Sequence, residues 1–134
     1  MGNRAIITIK DKYLAKDDWP SIYLHWNGGY DTVKPMLDVA RQYGIDCESH
    51  YGIARLAQMF GNYFGGTLSV GIGSYSRQDL NNGDNGVYII GDDWEIIERE
   101  YHDKPEQLTH DYYEMVESIK EINDPMFIKF KGEK

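Results

Sequence analysis

Alternation of apolar and polar side chains predicts five short strands along this chain. The alternating runs lie at residues 5–10, 22–26, 67–72, 87–90 and 94–101. Turn-forming Asn, Gly and Asp residues follow the second and fourth runs, because these residue types accept the backbone conformations of tight turns. The even-numbered side chains of the third run are expected to point inward. The fifth run is mixed on both faces, which indicates a strand near a sheet edge or an interface.

Apolar positions spaced three and four residues apart predict two helices in the first half of the chain. The first is expected to begin with Asp31 or Thr32 as its N-cap and to end at Gly44. The second carries an apolar face over residues 53–64, and the glycine pair at 65–66 is expected to end it. Its apolar face makes this central helix the element around which the others are expected to pack.

A third helix is predicted near the C-terminus, with Thr109 as its N-cap and a stop at residues 123–125, which end in proline. The apolar residues 126–130 then form either a final edge strand or a partner-binding tail. The order of elements is β-β-α-α-β-β-β-α, without the regular alternation of a parallel sheet. We therefore expect residues 1–134 to form a single α+β domain, with a mostly antiparallel sheet of about five strands and three helices on one face.

Composition indicates a globular protein of one domain. The chain has 134 residues, of which 41% are hydrophobic, enough to build one core. No apolar run approaches the roughly 18 residues of a membrane span, so no membrane association is expected. The run at residues 5–10 is too short for a secretory signal, and the single Cys47 excludes an internal disulfide. These features predict a cytoplasmic location.

Acidic side chains are concentrated towards the C-terminal end of the chain. The formal net charge is −8, and residues 92–124 contain twelve acidic and three basic side chains. A surface that binds duplex DNA needs the opposite sign, so direct nucleic-acid binding is not expected. The acidic segment is interpreted either as a solvated face or as a surface that imitates DNA for a basic protein partner.

Motifs for catalysis and for metal or cofactor binding are absent from the sequence. The four histidines form no zinc motif, and Gly71 and Gly73 lack the third glycine of a dinucleotide-binding turn. The loop at residues 79–84 departs from a calcium-binding EF-hand at its diagnostic positions. We therefore expect no catalytic residue, metal or cofactor. A hydrolase that uses His25, or Cys47 with the histidine three residues later, is an alternative.

One group of side chains fits a small-ligand site. Arginines bind phosphate through a planar fork, amides hydrogen-bond to base edges, and aromatic faces stack on bases. These residue types are expected to converge near the glycine pair at 65–66, where a ligand can approach the backbone. The expected ligand-binding residues are Arg55 and Arg77 for phosphate, Asn81, Asn82 and Asn85 for polar edges, and Tyr75 or Trp26 for stacking.

Three motifs carry a resemblance to a family of small phage proteins. They are IYLHWNGG at residues 22–29, YGIARLAQMFGNYFGG at residues 51–66 and DNGVYIIGDDWEIIEREY at residues 84–101. In these motifs the chain resembles small accessory proteins carried by phages and prophages of Gram-positive bacteria. The resemblance identifies no catalytic residue. It implies a role against host defence, by sequestering a nucleotide signal, by masking a defence protein or by imitating DNA.

Two functional hypotheses follow from these observations. The first is a non-enzymatic anti-defence protein that binds and sequesters a small nucleotide-type immune signal, at the interface of a homo-oligomer in the host cytoplasm. The second is an acidic inhibitor that blocks a host defence protein such as a nuclease, with residues 92–124 as its contact surface. Replacing Arg55 with alanine is expected to abolish ligand binding under the first hypothesis, whereas neutralising acidic residues of the last helix tests the second.

Overall fold

The five apolar runs pair into one mixed sheet. The computed structural model describes residues 3–48, 50–106 and 108–132. Its strands are β1 (Ala5–Ile9), β2 (Pro20–Leu24), β3 (Val70–Ser74), β4 (Val87–Ile90) and β5 (Ile96–Glu100). They lie side by side in the order β3-β2-β1-β4-β5, so β3 and β5 form the two edges of the sheet. The predicted edge position of the fifth run is confirmed.

Most of the strand pairs are antiparallel. β1 pairs with β2, β2 with β3 and β4 with β5 in this way, whereas β1 and β4 run parallel. Ile7, at the centre of β1, lies opposite Ile22 of β2 and Tyr88 of β4. The expected α+β fold, with a mostly antiparallel sheet of five strands and three helices, is therefore confirmed.

The strand periodicity divides the side chains of β1 between the two faces of the sheet. Ala5, Ile7 and Ile9 belong to the main core, together with buried residues of all three helices. The helices are α1 (Tyr30–Gln42), α2 (His50–Phe64) and α3 (Tyr112–Gly132). All three therefore pack on one face of the sheet, as the sequence predicts.

The opposite face of the sheet is covered by connecting segments. Ile6, Val87 and Ile89 form a smaller apolar cluster there with Tyr75, which is 8% exposed. The hydroxyl group of Tyr75 donates a hydrogen bond of 2.6 Å to the carboxylate of Glu100. The sheet thus separates Tyr75 from the helices.

α1 begins earlier than predicted, with Gly29 rather than Asp31 or Thr32 as its N-cap. The carbonyl oxygen of Gly29 accepts hydrogen bonds from the N–H groups of Thr32 and Val33, both at 3.0 Å. The Asp31 carboxylate accepts hydrogen bonds from the backbone of residues 109–110 instead of capping its own helix. A long-range contact therefore replaces the local capping preference.

α3 begins later than predicted, at Tyr112. Asp111 is in the N-cap position, because its carboxylate accepts a hydrogen bond of 3.0 Å from the N–H group of Glu114. Thr109, the expected N-cap, instead donates its N–H to Asp31 at 2.7 Å. The same contact that replaces the cap of α1 therefore also moves the start of α3.

Pro125 lies inside α3 rather than ending it. Residues 126–130, expected as an edge strand or a tail, are helical. Proline removes one helical hydrogen bond, but contacts on both sides of it hold this helix in place. The ring of Tyr43 stacks on Phe127 with a centroid distance of 4.6 Å, and its hydroxyl group donates to Asp124 at 2.6 Å. Tertiary packing therefore outweighs the local effect of the proline.

β3 begins later than predicted, and most of its expected core side chains point to solvent. The strand covers Val70–Ser74, and Leu68 is 82% and Ile72 66% exposed. The hydroxyl group of Ser69 donates to the carbonyl oxygen of Gly65 at 2.7 Å, which keeps the intervening residues in a turn. Of the three side chains expected to point inward, only that of Val70 packs against the core.

Candidate functional site

A polar cleft opens at the end of the sheet where β1 and β4 begin. Its cavity volume is about 310 Å³. Its walls are Asn3 before β1, Gly29 and Asp31 at the start of α1, residues 83–85 before β4, and part of the segment after β5. The lining residues of that last segment are His102, Lys104, Pro105, Glu106, Thr109 and His110. We refer to this site as the inter-loop cleft.

The buried amide of Asn82 fixes the loop before β4. Asn82 is 5% exposed, and its Oδ1 accepts hydrogen bonds from the N–H groups of Asp84 at 3.0 Å and Gly86 at 3.2 Å. Its Nδ2 donates to the carbonyl oxygen of Gly86 at 3.3 Å. Gly86 has a φ of 64°, a left-handed conformation that glycine adopts without steric cost. These contacts give the loop a defined shape.

Arg4 joins that loop to the segment before β1. Its Nε donates to Asp84 at 2.7 Å, and its Nη2 donates to the carbonyl oxygen of Asn82 at 2.6 Å. Burial raises the pKa of Asp84, but the hydrogen bonds from Arg4 outweigh burial and hold that pKa below its usual value. Asn85 donates through Nδ2 to Oδ1 of Asn3 at 2.7 Å. The two segments therefore form one continuous wall.

Arg99 of β5 holds the segment after β5 against the loop before β4. Its guanidinium lies 3.8 Å from the centroid of the Tyr88 ring, donates to the carbonyl oxygen of Asn85 at 2.9 Å, and forms an ion pair with Glu106. Its Nε is buried and has no hydrogen-bond partner in the described part of the chain. Arg99 therefore positions Glu106 and the loop through its two terminal nitrogens.

Asp31 fixes the far end of the same segment. Its Oδ2 accepts hydrogen bonds from the N–H groups of Thr109 at 2.7 Å and His110 at 2.9 Å. Asp31 lies in the first turn of α1, so these bonds tie the segment to the start of a helix. The segment is thus anchored at one end by Arg99 and at the other end by α1.

His102 and Lys104 present polar groups to the cleft that bond to no side chain or backbone group in the described part of the chain. The His102 side chain is 9% exposed, and its Nε2 lies 3.8 Å from Oε1 of Glu106, too far for a hydrogen bond. Burial, and then the Arg99 cation, lower the pKa of His102. Its neutral ring offers one donor and one acceptor at neutral pH. Lys104 is exposed and forms no ion pair with any residue that the structure describes.

The formal charges around the cleft nearly cancel. The two ion pairs made by Arg4 and Arg99 are neutral overall. The remaining charges are the Asp31 carboxylate, which is bonded to backbone N–H groups, and the Lys104 ammonium group. This balance suits a neutral or singly charged polar ligand and disfavours a polyanion.

Two of the seven predicted binding residues lie at this cleft. Asn85 lines it, and the buried Asn82 supports its loop. Asn81 is exposed in the same loop and is not one of the lining residues. Trp26 follows β2, is 40% exposed, and has its ring centroid 5.3 Å from that of His25, outside the lining. Of the seven residues, the cleft therefore brings together Asn82 and Asn85, and their role in binding stays a prediction.

The predicted convergence of the other three residues is wrong. Arg55 lies on α2, on the face that the helices cover, whereas Tyr75 and Arg77 follow β3. Tyr75 packs on the opposite face, so the sheet lies between it and α2. Its ring is buried and its hydroxyl group is bonded to Glu100, which leaves no free face for stacking. A binding role for Arg55 or Arg77 stays a prediction.

Sequence reasoning missed Asp31, His102 and Lys104 as site residues. Asp31 follows β2 and the other two follow β5, whereas Asn85 precedes β4. These residues lie together because their strands are neighbours in the sheet. The sequence can predict this proximity only if the order of the strands is known. The hairpin of β4 and β5 is the one local signal, because it predicts that residues after β5 lie beside residues before β4.

A second, smaller cavity lies at the other end of β1. Its volume is about 190 Å³, and Cys47 and His50 are among its lining residues. Cys47 is 7% exposed, and its thiol donates to the carbonyl oxygen of Gly91 at 3.7 Å. His25, the other histidine considered for hydrolysis, bonds through Nδ1 to the Tyr23 hydroxyl group at 2.7 Å. These contacts give no support to a nucleophile paired with a base.

Comparison with known protein families, with curated proteins and with solved structures yields no match to this chain. The resemblance to phage accessory proteins therefore stays a prediction. Within residues 3–48, 50–106 and 108–132, no three His, Cys, Asp or Glu side chains are grouped to hold a metal ion. No helix in those ranges has both the length and the apolar character needed to cross a membrane.

Proposed function

We propose that this chain binds a small nucleotide-type molecule in the inter-loop cleft and sequesters it without catalysis. The observation that carries the proposal is that anchored loops present His102, Lys104 and the amides of Asn3 and Asn85 to one cleft. The hydrogen bonds that anchor these loops reduce the entropy lost on binding, because the loops are ordered before the ligand arrives.

The cleft groups that bond to no described residue are complementary to a nucleotide of low charge. Lys104 offers a compact cation to a phosphate group. The neutral His102 ring, Nδ2 of Asn3 and Oδ1 of Asn85 offer donors and acceptors to a base or a ribose. The volume of about 310 Å³ is at the lower end of the range for small-molecule sites. A mononucleotide or a nucleoside derivative is therefore favoured over a polyphosphate.

The hydrogen bond made by the Thr109 hydroxyl group favours binding without turnover. This residue carries the hydroxyl group of the cleft lining, and it donates that hydrogen to Asp31 at 3.3 Å rather than to a histidine. The same carboxylate oxygen also accepts two backbone N–H groups, so it is occupied as an acceptor and is poorly placed to activate this weak nucleophile. The lining therefore supplies groups that recognise a ligand rather than a nucleophile paired with a base.

The biological role that fits such a site is removal of a nucleotide signal from solution. The resemblance to phage accessory proteins supports sequestration of a host immune signal in the host cytoplasm. Sequestration is stoichiometric, so the protein must reach the concentration of the signal and bind it with a dissociation constant below that concentration. No host protein is needed for this mechanism.

Native mass spectrometry with a panel of nucleosides, mononucleotides, ADP-ribose derivatives and cyclic oligonucleotides tests the proposal. We expect one ligand class to bind with one molecule per chain and to be recovered intact after heat denaturation of the protein. Recovery of an altered ligand would show an enzyme instead. The absence of any mass shift across the panel would overturn the proposed function.

A second function, inhibition of a basic protein partner, is favoured by the outer face of α3. Glu114, Glu117 and Glu121 are exposed there, and none forms an ion pair with a described residue. Their spacing places them on successive turns, so they form one acidic stripe. A nuclease blocked by this stripe would associate at a rate that falls steeply with salt. The variant in which Glu114, Glu117 and Glu121 are all replaced with glutamine should then lose inhibition and keep ligand binding. Retained inhibition in this variant would contradict the second function.

A further inference from the structure

β3 leaves one edge of the sheet open. It is the last strand in the order β3-β2-β1-β4-β5, so one side of its backbone has no strand neighbour among the described residues. On the other side, His25 donates its N–H to the carbonyl oxygen of Ser69 at 2.9 Å, and Tyr75 donates its N–H to that of Trp19 at 2.8 Å. The backbone groups of the odd-numbered residues of β3 therefore face β2.

The even-numbered residues Val70, Ile72 and Ser74 direct their N–H and carbonyl groups away from β2. Such groups at a sheet edge form a template for another strand. Gly71 and Gly73, which alternate with them, carry no side chain on the face opposite the helices. The edge thus offers a row of backbone donors and acceptors, and the flexible side chain of Gln78 is the group that lies against Gly73.

This edge lacks the charges by which edge strands usually resist pairing. Residues 56–76 contain no charged side chain, although 27% of the chain is charged. The other edge of the sheet, β5, carries charged side chains at residues 98–100. Leu68 and Ile72, at the open edge, are 82% and 66% exposed. The β3 edge is therefore both uncharged and apolar at its surface.

We propose that the β3 edge pairs with the β3 edge of a second copy of the chain. Antiparallel pairing about a two-fold axis at Ile72 places that residue opposite the partner's Ile72, and Val70 opposite the partner's Ser74. Each opposing pair exchanges backbone hydrogen bonds. The two sheets then form one continuous sheet, and the exposed Ile72 side chain is covered.

The lack of charge at this edge and its self-complementary geometry favour a second copy of the chain as its occupant. Two chains of net charge −8 repel one another over most of their surface. The uncharged stretch at residues 56–76 is where they meet with the least repulsion. A symmetric contact also requires the same patch on both chains, a condition that an antiparallel strand edge meets by itself. A strongly charged partner would find no complementary charge here.

The pairing goes beyond the proposed ligand binding and does not depend on it. The lining of the inter-loop cleft comes from segments next to β1, α1, β4 and β5, and contains no residue of β3. Both copies of the dimer therefore keep an open cleft. A failure of the pairing can be distinguished from a failure of ligand binding, because the two are measured separately.

Sedimentation velocity of the full chain over a roughly hundredfold concentration range tests the pairing. We expect a dimer for the wild type and a monomer for Ser74→Pro. Ser74 has a φ of −76°, so proline fits there without strain and removes an N–H group that faces away from β2. Ile72→Lys places two like charges at the symmetry axis and is also expected to be monomeric. Ile97→Lys, at a 48% exposed residue of β5, is the matched control and should stay dimeric.

The dissociation constant of the dimer should rise by at least about tenfold in both β3 variants. Circular dichroism and thermal melting establish that each variant is folded, and the exposure of Ile72 makes its replacement tolerable for the fold. A monomeric wild type would overturn the proposal. Folded Ser74→Pro or Ile72→Lys proteins that dimerise like the wild type would also overturn it, as would a control variant that dissociates to the same extent.

Discussion

Asp38 connects α1 to α3 through one buried carboxylate. It is 6% exposed and accepts hydrogen bonds from Lys34 at 2.7 Å, from Arg41 at 2.9 Å and from the hydroxyl group of Tyr112. Burial raises the pKa of Asp38, but these hydrogen bonds, led by that from Lys34, outweigh burial and lower the pKa below its usual value. The ionised carboxylate therefore stabilises the folded state.

Replacing Asp38 with asparagine is expected to lower the free energy of unfolding by about 2 kcal/mol at neutral pH, because charge-assisted hydrogen bonds are lost. The advantage of the wild type should be complete above the unfolded pKa of 3.8 and should disappear as pH falls through the lower folded pKa. Urea unfolding across this range measures the difference. The exposed Asp18 provides the control variant, Asp18→Asn, which should change little. Equal stabilities of Asp38→Asn and wild type at neutral pH would contradict this role.

His102 is expected to make stability depend on pH in the mildly acidic range. Burial and the Arg99 cation lower its pKa in the folded protein, whereas the unfolded residue titrates near 6.5. Above that value His102 has no effect on the pH dependence. As pH falls from 6.5 towards the folded pKa, the unfolded state takes up the proton first and stability is lost.

Thermal melting of His102→Gln on both sides of pH 6.5 tests this effect. The variant should lose less stability on acidification than the wild type, because glutamine does not titrate. His50→Gln, at an exposed histidine of α2, is the matched control and should keep the wild-type dependence. The same dependence in His102→Gln and wild type would show that the ring is not buried as described.

At the scale of elements, segments with strong local periodicity could be predicted from the sequence. α2 and β4 lie where the pattern places them, and the glycine pair at 65–66 ends α2 with positive φ angles. The ends of elements that depend on distant contacts could not be predicted from the sequence. α3 continues through Pro125 because Tyr43, far away in the sequence, stacks on Phe127. Spacing along the chain contains no signal for such a contact.

The loop before β4 contains a matched pair of glycines. Gly83 and Gly86 have φ angles of 80° and 64°. A Cβ atom at Gly86 would lie 2.1 Å from the carbonyl oxygen of Glu100, whereas one at Gly83 would meet no atom within 4 Å. Alanine at either position is strained by the left-handed backbone, but only alanine at Gly86 also forces the loop away from β5.

Gly83→Ala is expected to lower the free energy of unfolding by about 1 to 2 kcal/mol, the usual effect of a left-handed alanine. Gly86→Ala should lower it by about 3 kcal/mol or more, because a backbone clash adds to that strain. Denaturant unfolding of the two variants measures both values. Losses of equal size would contradict the close contact between the loop and β5.

At the scale of the whole molecule, the strand order creates the inter-loop cleft. Asn3, Asp31, Asn85 and His102 come from separate segments and meet because β2, β1, β4 and β5 are neighbours in the sheet. The sequence predicts the β4–β5 hairpin, but not the parallel pairing of β1 with β4, which joins distant parts of the chain. Asn85 could therefore be predicted as a site residue, whereas its partners across the cleft could not.

The net charge of −8 and the nearly neutral cleft together determine which ligand charges are favoured. Under the proposed function, the field of the whole chain would repel polyanions, while Lys104 would attract a single phosphate at short range. Affinity for a small nucleotide should then depend weakly on salt. A steep loss of activity with salt would instead favour the acidic stripe of α3 as the functional surface.

Calorimetric titration of Lys104→Ala tests most directly whether the inter-loop cleft is the binding site. With the nucleotide identified by mass spectrometry, we expect affinity to fall roughly tenfold, or about 1.4 kcal/mol, because one phosphate contact is lost. Lys12→Ala removes an exposed lysine at the opposite end of β1 and should bind like the wild type. Unchanged affinity in a folded Lys104→Ala protein, or an equal loss in Lys12→Ala, would contradict the account.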